Sequence, residues 1–189
     1  SAAAPFPRES QAELEAIIGE GKLLELYGMT ETSPVSTQTG ADDSIDKRVG
    51  SVGRVHPHVE IRIADPDTGA TVPRGTTGEF QTRGYSIMQG YWNEPAKTAD
   101  AIDADGWMHT GDLAVMDDDG YVNITGRIKD LIIRGGENVS PREIEEFLYT
   151  HPDIADVQVV GVPDARYGEE VCAFVQMRSG APFDAEAIR

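Results

Sequence analysis

Residues 126–141 read GRIKDLIIRGGENVSP. The run combines an apolar strand, a charged elbow, a glycine loop and a helix start in which Pro141 directly follows Ser140. A stable core does not require these parts in this order, whereas a segment that must move between two binding partners would require them. We therefore place a domain boundary near residues 126–130.

The residues before this boundary predict an α/β region followed by a strand-rich region. Ser10 and Glu13 form a capping box that predicts a helix, and Gly19 or Gly21 is expected to end it. From about residue 49 the pattern changes to short alternating runs separated by turn residues. The expected elements are strands over 23–27, 59–63, 78–83, 113–116 and 121–125, the last two forming a hairpin, and a short helix over 95–102.

The residues after the boundary predict an α+β unit. Ser140 and Glu143 form a second capping box around Pro141, and the helix is expected to end before residue 151. The buried stripe of this helix is expected to consist of Ile144, Phe147 and Leu148. Strands over 154–162 and 171–177 and a helix start over 184–189 are expected to follow it. The fold class predicted for the whole chain is mixed α/β and α+β.

Composition limits the function. The 189 residues suffice for one ordinary domain or two small ones, and 39% hydrophobic residues are enough for a core. The 33 acidic and 16 basic residues leave a formal charge of −17, which repels phosphate backbones and anionic lipids, so we expect no nucleic acid partner. No run approaches the length of a membrane span. The single cysteine, Cys172, lies in an apolar run and fits a buried thiol in a reducing cytoplasm.

Three polar positions could hold a nucleotide. Thr30 and Glu31 offer a hydroxyl and a carboxylate that could contact a phosphate oxygen and Mg²⁺, or they could be a capping Thr and a solvated Glu. Asp112 follows a Thr-Gly pair and could grip ribose hydroxyls, or it could cap a turn. Arg127 could contact a ribose or phosphate oxygen, or pair with one of the many acids.

The order of three motifs gives a family resemblance. Tyr-Gly-Met-Thr-Glu at 27–31, His-Thr-Gly-Asp at 109–112 and the run at 126–141 closely resemble the adenylate-forming superfamily. This superfamily includes acyl-CoA synthetases, firefly-type luciferases and the adenylation domains of peptide synthetases. The resemblance extends from about residue 23 to the end, is closest to fatty acyl-CoA synthetases, particularly medium-chain ones, and also includes Gly50–Arg54, Gly78-Glu79, Gly84-Tyr85, Gly90–Trp92 and Asp105–Trp107.

The resemblance implies a domain plan. Residues 1–126 resemble the C-terminal part of the large AMP-binding domain, with the end of its α/β subdomain over 1–45 and a β-barrel-like subdomain over 46–126. Residues 127–130 resemble its hinge. Residues 131–189 resemble the start of the small C-terminal domain, cut short.

The resemblance also implies site residues and cofactors. Catalytic roles fall to Thr30, Glu31 and Lys129, with Glu31 as the Mg²⁺ ligand and Lys129 as the hinge pivot. The residues implied to bind the nucleotide, ATP or its product AMP, are Tyr27, Gly28, Thr30, Asp112, Ile124 and Arg127. Gly28 and Met29 would border the acyl substrate. The loop of Gly135, Gly136, Glu137 and Asn138 would border the pantetheine of coenzyme A, its alternative being an ordinary strand-to-helix connection.

The chain departs from the family in ways that bear on activity. The family's phosphate-binding loop lies upstream of the matching region and its terminal catalytic lysine lies downstream, so we expect an internal fragment that is inactive alone. The expected reaction of the parent enzyme joins a fatty acid or other small carboxylate to coenzyme A, with ATP and Mg²⁺. Three alternatives stay open: a ligase that loads a carrier protein, a nucleotide-binding fragment without catalysis, and a plain structural fragment. The sequence leaves the oligomeric state unknown.

Overall fold

The computed structural model describes residues 8–19 and 21–179. The chain divides into two compact units, Ser1–Ile124 and Thr125–Arg189, and each is described separately. The predicted hinge at 127–130 remains a prediction, as do the boundaries within the first unit. Within the described residues, no helix has the length and apolar content needed to cross a membrane.

The first unit contains two antiparallel sheets. Its elements in chain order are α1 (Arg8–Ile18), β1 (Leu26–Tyr27), β2 (Thr37–Gln38), α2 (Ile45–Gly50), β3 (Arg54–Val55), β4 (Val59–Ala64), β5 (Gly78–Gly84), α3 (Pro95–Ala101), β6 (Met108–Met116) and β7 (Val122–Arg127), the last three residues of which belong to the second unit. The three-stranded sheet has the order β1-β2-β3, and the four-stranded sheet has the order β4-β5-β6-β7.

Strand β5 lies at the centre of the first unit. All five residues from Gly78 to Thr82 are buried, so both faces of this strand are covered. Phe80 is fully buried in a core cluster, against which Tyr27 and Ile124 pack. The core therefore touches two of the predicted nucleotide residues.

Most expected elements of this unit are confirmed, with two corrections. Within the described residues, helix α1 spans Arg8–Ile18, so Ser10 lies inside the helix and its predicted role as the N-terminal cap is wrong. The predicted end of the helix before Gly19, which has φ 105°, is confirmed. The predicted strand over 23–27 contains only Leu26–Tyr27. Helix α3 begins with Pro95 as expected, because the fixed φ of Pro suits a first helical position.

The second unit packs one helix on a four-stranded sheet of order β10-β11-β8-β9. Its core cluster contains Ile132, Leu148, Ile154, Val157 and Val159, with Ile144 packed against it. The strands are β8 (Ile132–Arg134), β9 (Glu137–Val139), β10 (Ile154–Asp164) and β11 (Gly168–Met177), and the helix is α4 (Pro141–Tyr149).

Three expectations for the second unit need correction. Ser140 is the N-cap residue of α4, but its side chain makes no capping bond and Oγ instead donates to the carbonyl of Thr125 at 3.5 Å, so the second capping box is not formed. Phe147 is 73% exposed and does not belong to the buried stripe. Cys172 is only partly buried. The expected helix start over 184–189 lies outside the described residues.

Candidate functional site

Tyr27 and Asp112 form the centre of the candidate site in the first unit. The phenol of Tyr27 donates a 2.6 Å hydrogen bond to Oδ2 of Asp112, whose side chain is buried. The ring of Tyr27 also meets Phe80 edge to face, with 4.9 Å between the ring centroids. Ile124 packs against the same core. The fold thus brings three of the predicted nucleotide residues to one core.

The loop after β1 carries the predicted phosphate and acyl residues. Gly28 lies so close to the carbonyl of Pro34 that a Cβ atom would come within 1.6 Å of that oxygen, so no other residue fits there. Met29 has an extended backbone, and its N–H donates to Oγ1 of Thr32 at 3.0 Å. A short 3₁₀ helix, Thr30–Thr32, follows and leaves Thr30 exposed. The tight loop requires Gly28 whatever its role beside a substrate.

Glu31 is held by two contacts with one segment. Its carbonyl accepts a 2.8 Å bond from the N–H of Met88, and its Oε1 accepts a 2.9 Å bond from the phenol of Tyr91. Burial and the bond to this carboxylate raise the pKa of Tyr91, so the phenol keeps its proton and remains a donor. The bond uses Oε1, so Oε2 can serve a second partner.

Glu31 could contribute to a magnesium site only together with a bound molecule that supplies further oxygen atoms, such as a nucleotide. Among the described residues, no group of three or more His, Cys, Asp and Glu side chains could hold a metal ion. Mg²⁺ is commonly bound by one or two carboxylates, substrate phosphates and water. One fixed carboxylate therefore fits a Mg²⁺ ion that arrives with a nucleotide.

The predicted hinge and coenzyme A residues lie in the second unit. Arg127 ends β7, and exposed Lys129 lies in a 3₁₀ helix, Ile128–Asp130. Gly135 and Gly136, with φ of 60° and 91°, form the turn of a hairpin in which Arg134 pairs with Glu137. Glu137 and Asn138 belong to β9, so the loop is a hairpin turn and the alternative of a strand-to-helix connection is wrong.

The hairpin is fastened to β11 and to the loop before it. The guanidinium of Arg134 donates to Oε1 of Glu170 at 2.6 Å and lies 4.3 Å from the ring centroid of Tyr167. The hydrogen bond from Arg134 lowers the pKa of Glu170. The N–H of Gly135 donates to the carbonyl of Tyr167 at 2.8 Å. These contacts therefore hold in place the hairpin whose turn contains the two glycines.

Sequence reasoning missed two residues that contact the site. Tyr91 and Glu79 occur in motifs that carried the family resemblance, but those motifs were given no role. Tyr91 holds Glu31, and Oε1 of Glu79 accepts a 3.0 Å bond from the N–H of Gly111, next to Asp112. The signal in the sequence that could have identified these two residues was a polar side chain within an otherwise apolar or glycine-rich motif.

Two family models match the chain in sequence. One, described as AMP-binding enzyme, matches residues 1–92, and the other, described as AMP-binding enzyme C-terminal domain, matches residues 143–189. YngI of Bacillus subtilis (strain 168), named provisionally as an acyl-CoA synthetase, is 50% identical over 188 residues, which cover 100% of this chain and 34% of YngI. The mitochondrial medium-chain acyl-CoA ligase ACSF2 of Bos taurus is 47% identical over 191 residues, covering 100% of this chain and 31% of ACSF2. The chain therefore spans about a third of the length of these relatives.

Solved structures share the fold. ATP-bound MatB from Rhodopseudomonas palustris superposes with a TM-score of 0.89 at 41% identity, covering 98% of this chain and 36% of MatB. The amide bond synthetase McbA from Marinactinospora thermotolerans gives a TM-score of 0.84 at 38% identity, covering 97% of this chain and 37% of McbA. These likenesses confirm the predicted mixed α/β and α+β fold class.

Proposed function

Because this chain belongs to the AMP-binding enzyme family, we propose that it works within an ATP-dependent fatty acyl-CoA synthetase. Since its relatives are longer, the proposal concerns a full-length protein that contains these residues, called the full-length enzyme below. The observation that carries the proposal is the hydrogen bond between Tyr27 and Asp112, which builds an aromatic face and a carboxylate into one site. This pair is suited to adenosine, since an aromatic ring can stack on adenine and a carboxylate can accept from ribose hydroxyls.

The proposed reaction has two steps. A fatty acid carboxylate attacks the α-phosphate of ATP, forming acyl-adenylate and releasing pyrophosphate, and the thiol of coenzyme A then displaces AMP to form the acyl-CoA thioester. Glu31 and the phosphates would hold Mg²⁺, which would offset the negative charge on the phosphate oxygens during the reaction. Thr30 would contact a phosphate oxygen, Arg127 the ribose or phosphate, and Ile124 the apolar wall of the nucleotide pocket.

The remaining assignments belong to the same proposal. Gly28 and Met29 would border the acyl chain, and the hairpin residues Gly135 to Asn138, which form the turn and the start of β9, would border pantetheine. Lys129 would be the pivot about which the small domain rotates between the two steps. We further propose that the chain alone is inactive, that it acts in fatty acid metabolism and that it resides in the cytoplasm, where a single cysteine stays reduced.

The decisive experiment identifies the reaction product of the full-length enzyme. With ATP, Mg²⁺, coenzyme A and a panel of fatty acids, the proposal expects pyrophosphate release and a free acyl-CoA thioester. The amide bond synthetase likeness supports including amine acceptors and carrier proteins in the same panel. Acyl groups found only on a carrier protein or an amine would contradict the coenzyme A step, while leaving adenylation intact.

A binding experiment on this chain separates the remaining alternatives. Calorimetric titration with AMP should show saturable binding that Asp112→Ala weakens, and ATP–pyrophosphate exchange with any fatty acid should not exceed the control without enzyme. Saturable binding without any product from the full-length enzyme would indicate a nucleotide-binding protein. No binding and no effect of AMP on melting would favour a structural fragment.

A further inference from the structure

A bulge in strand β6 presents Asp112. Glu79 of β5 lies opposite Leu113, and Gln81 lies opposite His109, so the single residue Phe80 faces three residues, 110–112. A bulge of this kind interrupts the ladder of hydrogen bonds and changes the direction of side chains. Gly111 within it has φ 72° and open space around its missing Cβ, so the backbone conformation rather than crowding requires glycine there.

Side-chain bonds from and to β5 replace the interrupted ladder. Oε1 of Glu79 accepts the N–H of Gly111, the residue before Asp112, at 3.0 Å. Oγ1 of Thr110 donates to the carbonyl of Phe80 at 2.6 Å and accepts the N–H of Asp112 at 3.1 Å. Both extra residues before Asp112 are therefore tied to β5.

The carboxylate of Glu79 is itself fixed in place. It is 6% exposed, and its Oε2 accepts from the side-chain amide of Gln81 at 2.7 Å and lies 2.9 Å from Nδ1 of His109. The amide oxygen of Gln81 in turn accepts from Nε of Arg62 at 2.7 Å. Burying a carboxylate is costly unless its oxygens are satisfied, and these bonds satisfy both oxygens of Glu79.

We infer that Glu79 is a positioning residue: through the N–H of Gly111 it fixes the bulge that aims the carboxylate of Asp112. The inference rests on the proposed contact between Asp112 and ribose. Tyr27 then holds Asp112 directly through its carboxylate, and Glu79 holds it indirectly through the N–H of the preceding residue, Gly111. Glu79 acts on the orientation of a hydrogen-bond acceptor, so its loss impairs recognition of ribose hydroxyls more than binding of adenine.

The test compares the affinities of the full-length enzyme for AMP, 2′-deoxy-AMP and 3′-deoxy-AMP by calorimetry. Glu79→Gln keeps the side-chain size but has only one oxygen to serve the two donors, Gly111 and Gln81. Thr110→Val keeps the shape of the side chain and removes the second tie between the bulge and β5. Glu60→Gln is the control, because Glu60 is an exposed carboxylate on neighbouring β4 that bonds to Arg83.

We expect both Glu79→Gln and Thr110→Val to reduce the preference for AMP over the better discriminated deoxy analogue by about tenfold, the order expected when a charge-assisted bond is misaligned. Glu60→Gln should leave the preference unchanged. A merely structural role would lower the melting temperature and leave the preference intact. If both variants fold and keep the preference while Asp112→Ala loses it, the inference is wrong and the ribose role of Asp112 stands. If Asp112→Ala keeps the preference, the ribose contact itself is wrong and the inference fails with it.

Discussion

The phenol of Tyr27 donates to Oδ2 of Asp112 across 2.6 Å, although the two residues are 85 positions apart in the sequence. The bond fixes the orientation of the carboxylate. Because Asp112 is only 6% exposed, a hydrogen bond to it is less weakened by solvent than one at the surface. The pair therefore combines a fixed acceptor with a fixed aromatic ring.

The first prediction concerns the two members of this pair. Asp112→Ala in the full-length enzyme should weaken ATP binding more than fatty acid binding, by about 1.5–3 kcal/mol per lost charge-assisted bond. Tyr27→Phe keeps the ring against Phe80 and removes only the donor, so its effect on the KM for ATP should be smaller. In the double variant the effects should not add, since both changes act through one carboxylate. An unchanged KM for ATP in Asp112→Ala would show that this residue is only a turn cap.

The second prediction concerns the hydrogen bond between Tyr91 and Glu31. Tyr91→Phe in the full-length enzyme should raise the Mg²⁺ concentration needed for half-maximal turnover several-fold, with a smaller change at saturating Mg²⁺, because the carboxylate loses the donor that orients it. Glu31→Gln should damage Mg²⁺-dependent turnover more severely. Tyr85→Phe is the matched control, since Tyr85 is 78% exposed. Equal Mg²⁺ dependence in Tyr91→Phe and Tyr85→Phe would contradict the orienting role.

The pH dependence of this bond follows from the raised pKa of Tyr91. A tyrosine whose pKa is higher in the folded than in the unfolded protein contributes stability that is complete below the unfolded value of about 10. That contribution is lost as the pH rises through the higher folded pKa. Differences in melting temperature between the parent protein and Tyr91→Phe should therefore persist up to pH 10 and shrink above it.

The third prediction concerns a buried ion pair between α1 and α2. Glu15 and Arg48 are each 3% exposed, with 2.6 Å between Oε1 and Nη2, and the same carboxylate accepts the N–H of Gly21 at 2.6 Å. Burial raises the pKa of Glu15, but the bonds from Gly21 and Arg48 outweigh it and hold this pKa below 4.5. Glu15→Gln should lower the melting temperature of the chain at pH 7, because it removes the charged partner that lies 2.6 Å from the buried guanidinium of Arg48.

The direction in which pH changes this difference in melting temperature tests whether the charge of Glu15 is responsible. A carboxylate with a lowered folded pKa stabilises the protein above its unfolded pKa, and this contribution disappears as the pH falls through the folded value. The difference in melting temperature between the parent chain and Glu15→Gln should therefore shrink on acidification below about pH 4.5. Glu13→Gln on the exposed face of α1 should change little at any pH. A constant difference over the whole pH range would point to packing rather than charge.

The sequence predicted what local patterns determine. The alternation of apolar and polar residues predicted β4 and β5, and Pro95 predicted the start of α3, because both signals depend only on neighbouring residues. Periodicity also grouped Phe147 with Ile144 and Leu148 as the buried stripe of α4. Of these three residues, Ile144 and Leu148 pack in the core and Phe147 is exposed, because the side of a helix that is covered depends on the packing of the whole unit.

Contacts between distant residues explain why part of the site was missed. Tyr27 and Asp112 were each found from a motif, but their hydrogen bond requires β1 and β6 to meet. The position of Glu79 depends on a bulge, which arises from the pairing of two strands rather than from either strand alone. Short motifs therefore identify individual candidate residues better than they identify the distant residues that hold those candidates in place.

The last prediction concerns the proposed pivot. Lys129 is exposed within the 3₁₀ helix Ile128–Asp130, and such helices have φ near −50 to −70°. Pro fixes φ near −65°, inside this range, and removes the N–H, so Lys129→Pro opposes any other φ at this residue. If the small domain rotates here, the variant should impair one half-reaction far more than the other. We expect adenylate formation to survive and thioester formation to collapse in the full-length enzyme.

Single-turnover assays separate the two half-reactions, one following adenylate from labelled ATP and the other adding coenzyme A to preformed adenylate. Lys129→Ala is the matched control, because it removes the same side chain while keeping the N–H and a variable φ, and it should support both steps. Equal loss of both steps in Lys129→Pro would indicate misfolding of the segment around 125–133, which a lowered melting temperature would reveal. Full activity of Lys129→Pro in both steps would place the pivot elsewhere, because a backbone restricted to one φ region cannot serve two domain arrangements that differ at that residue.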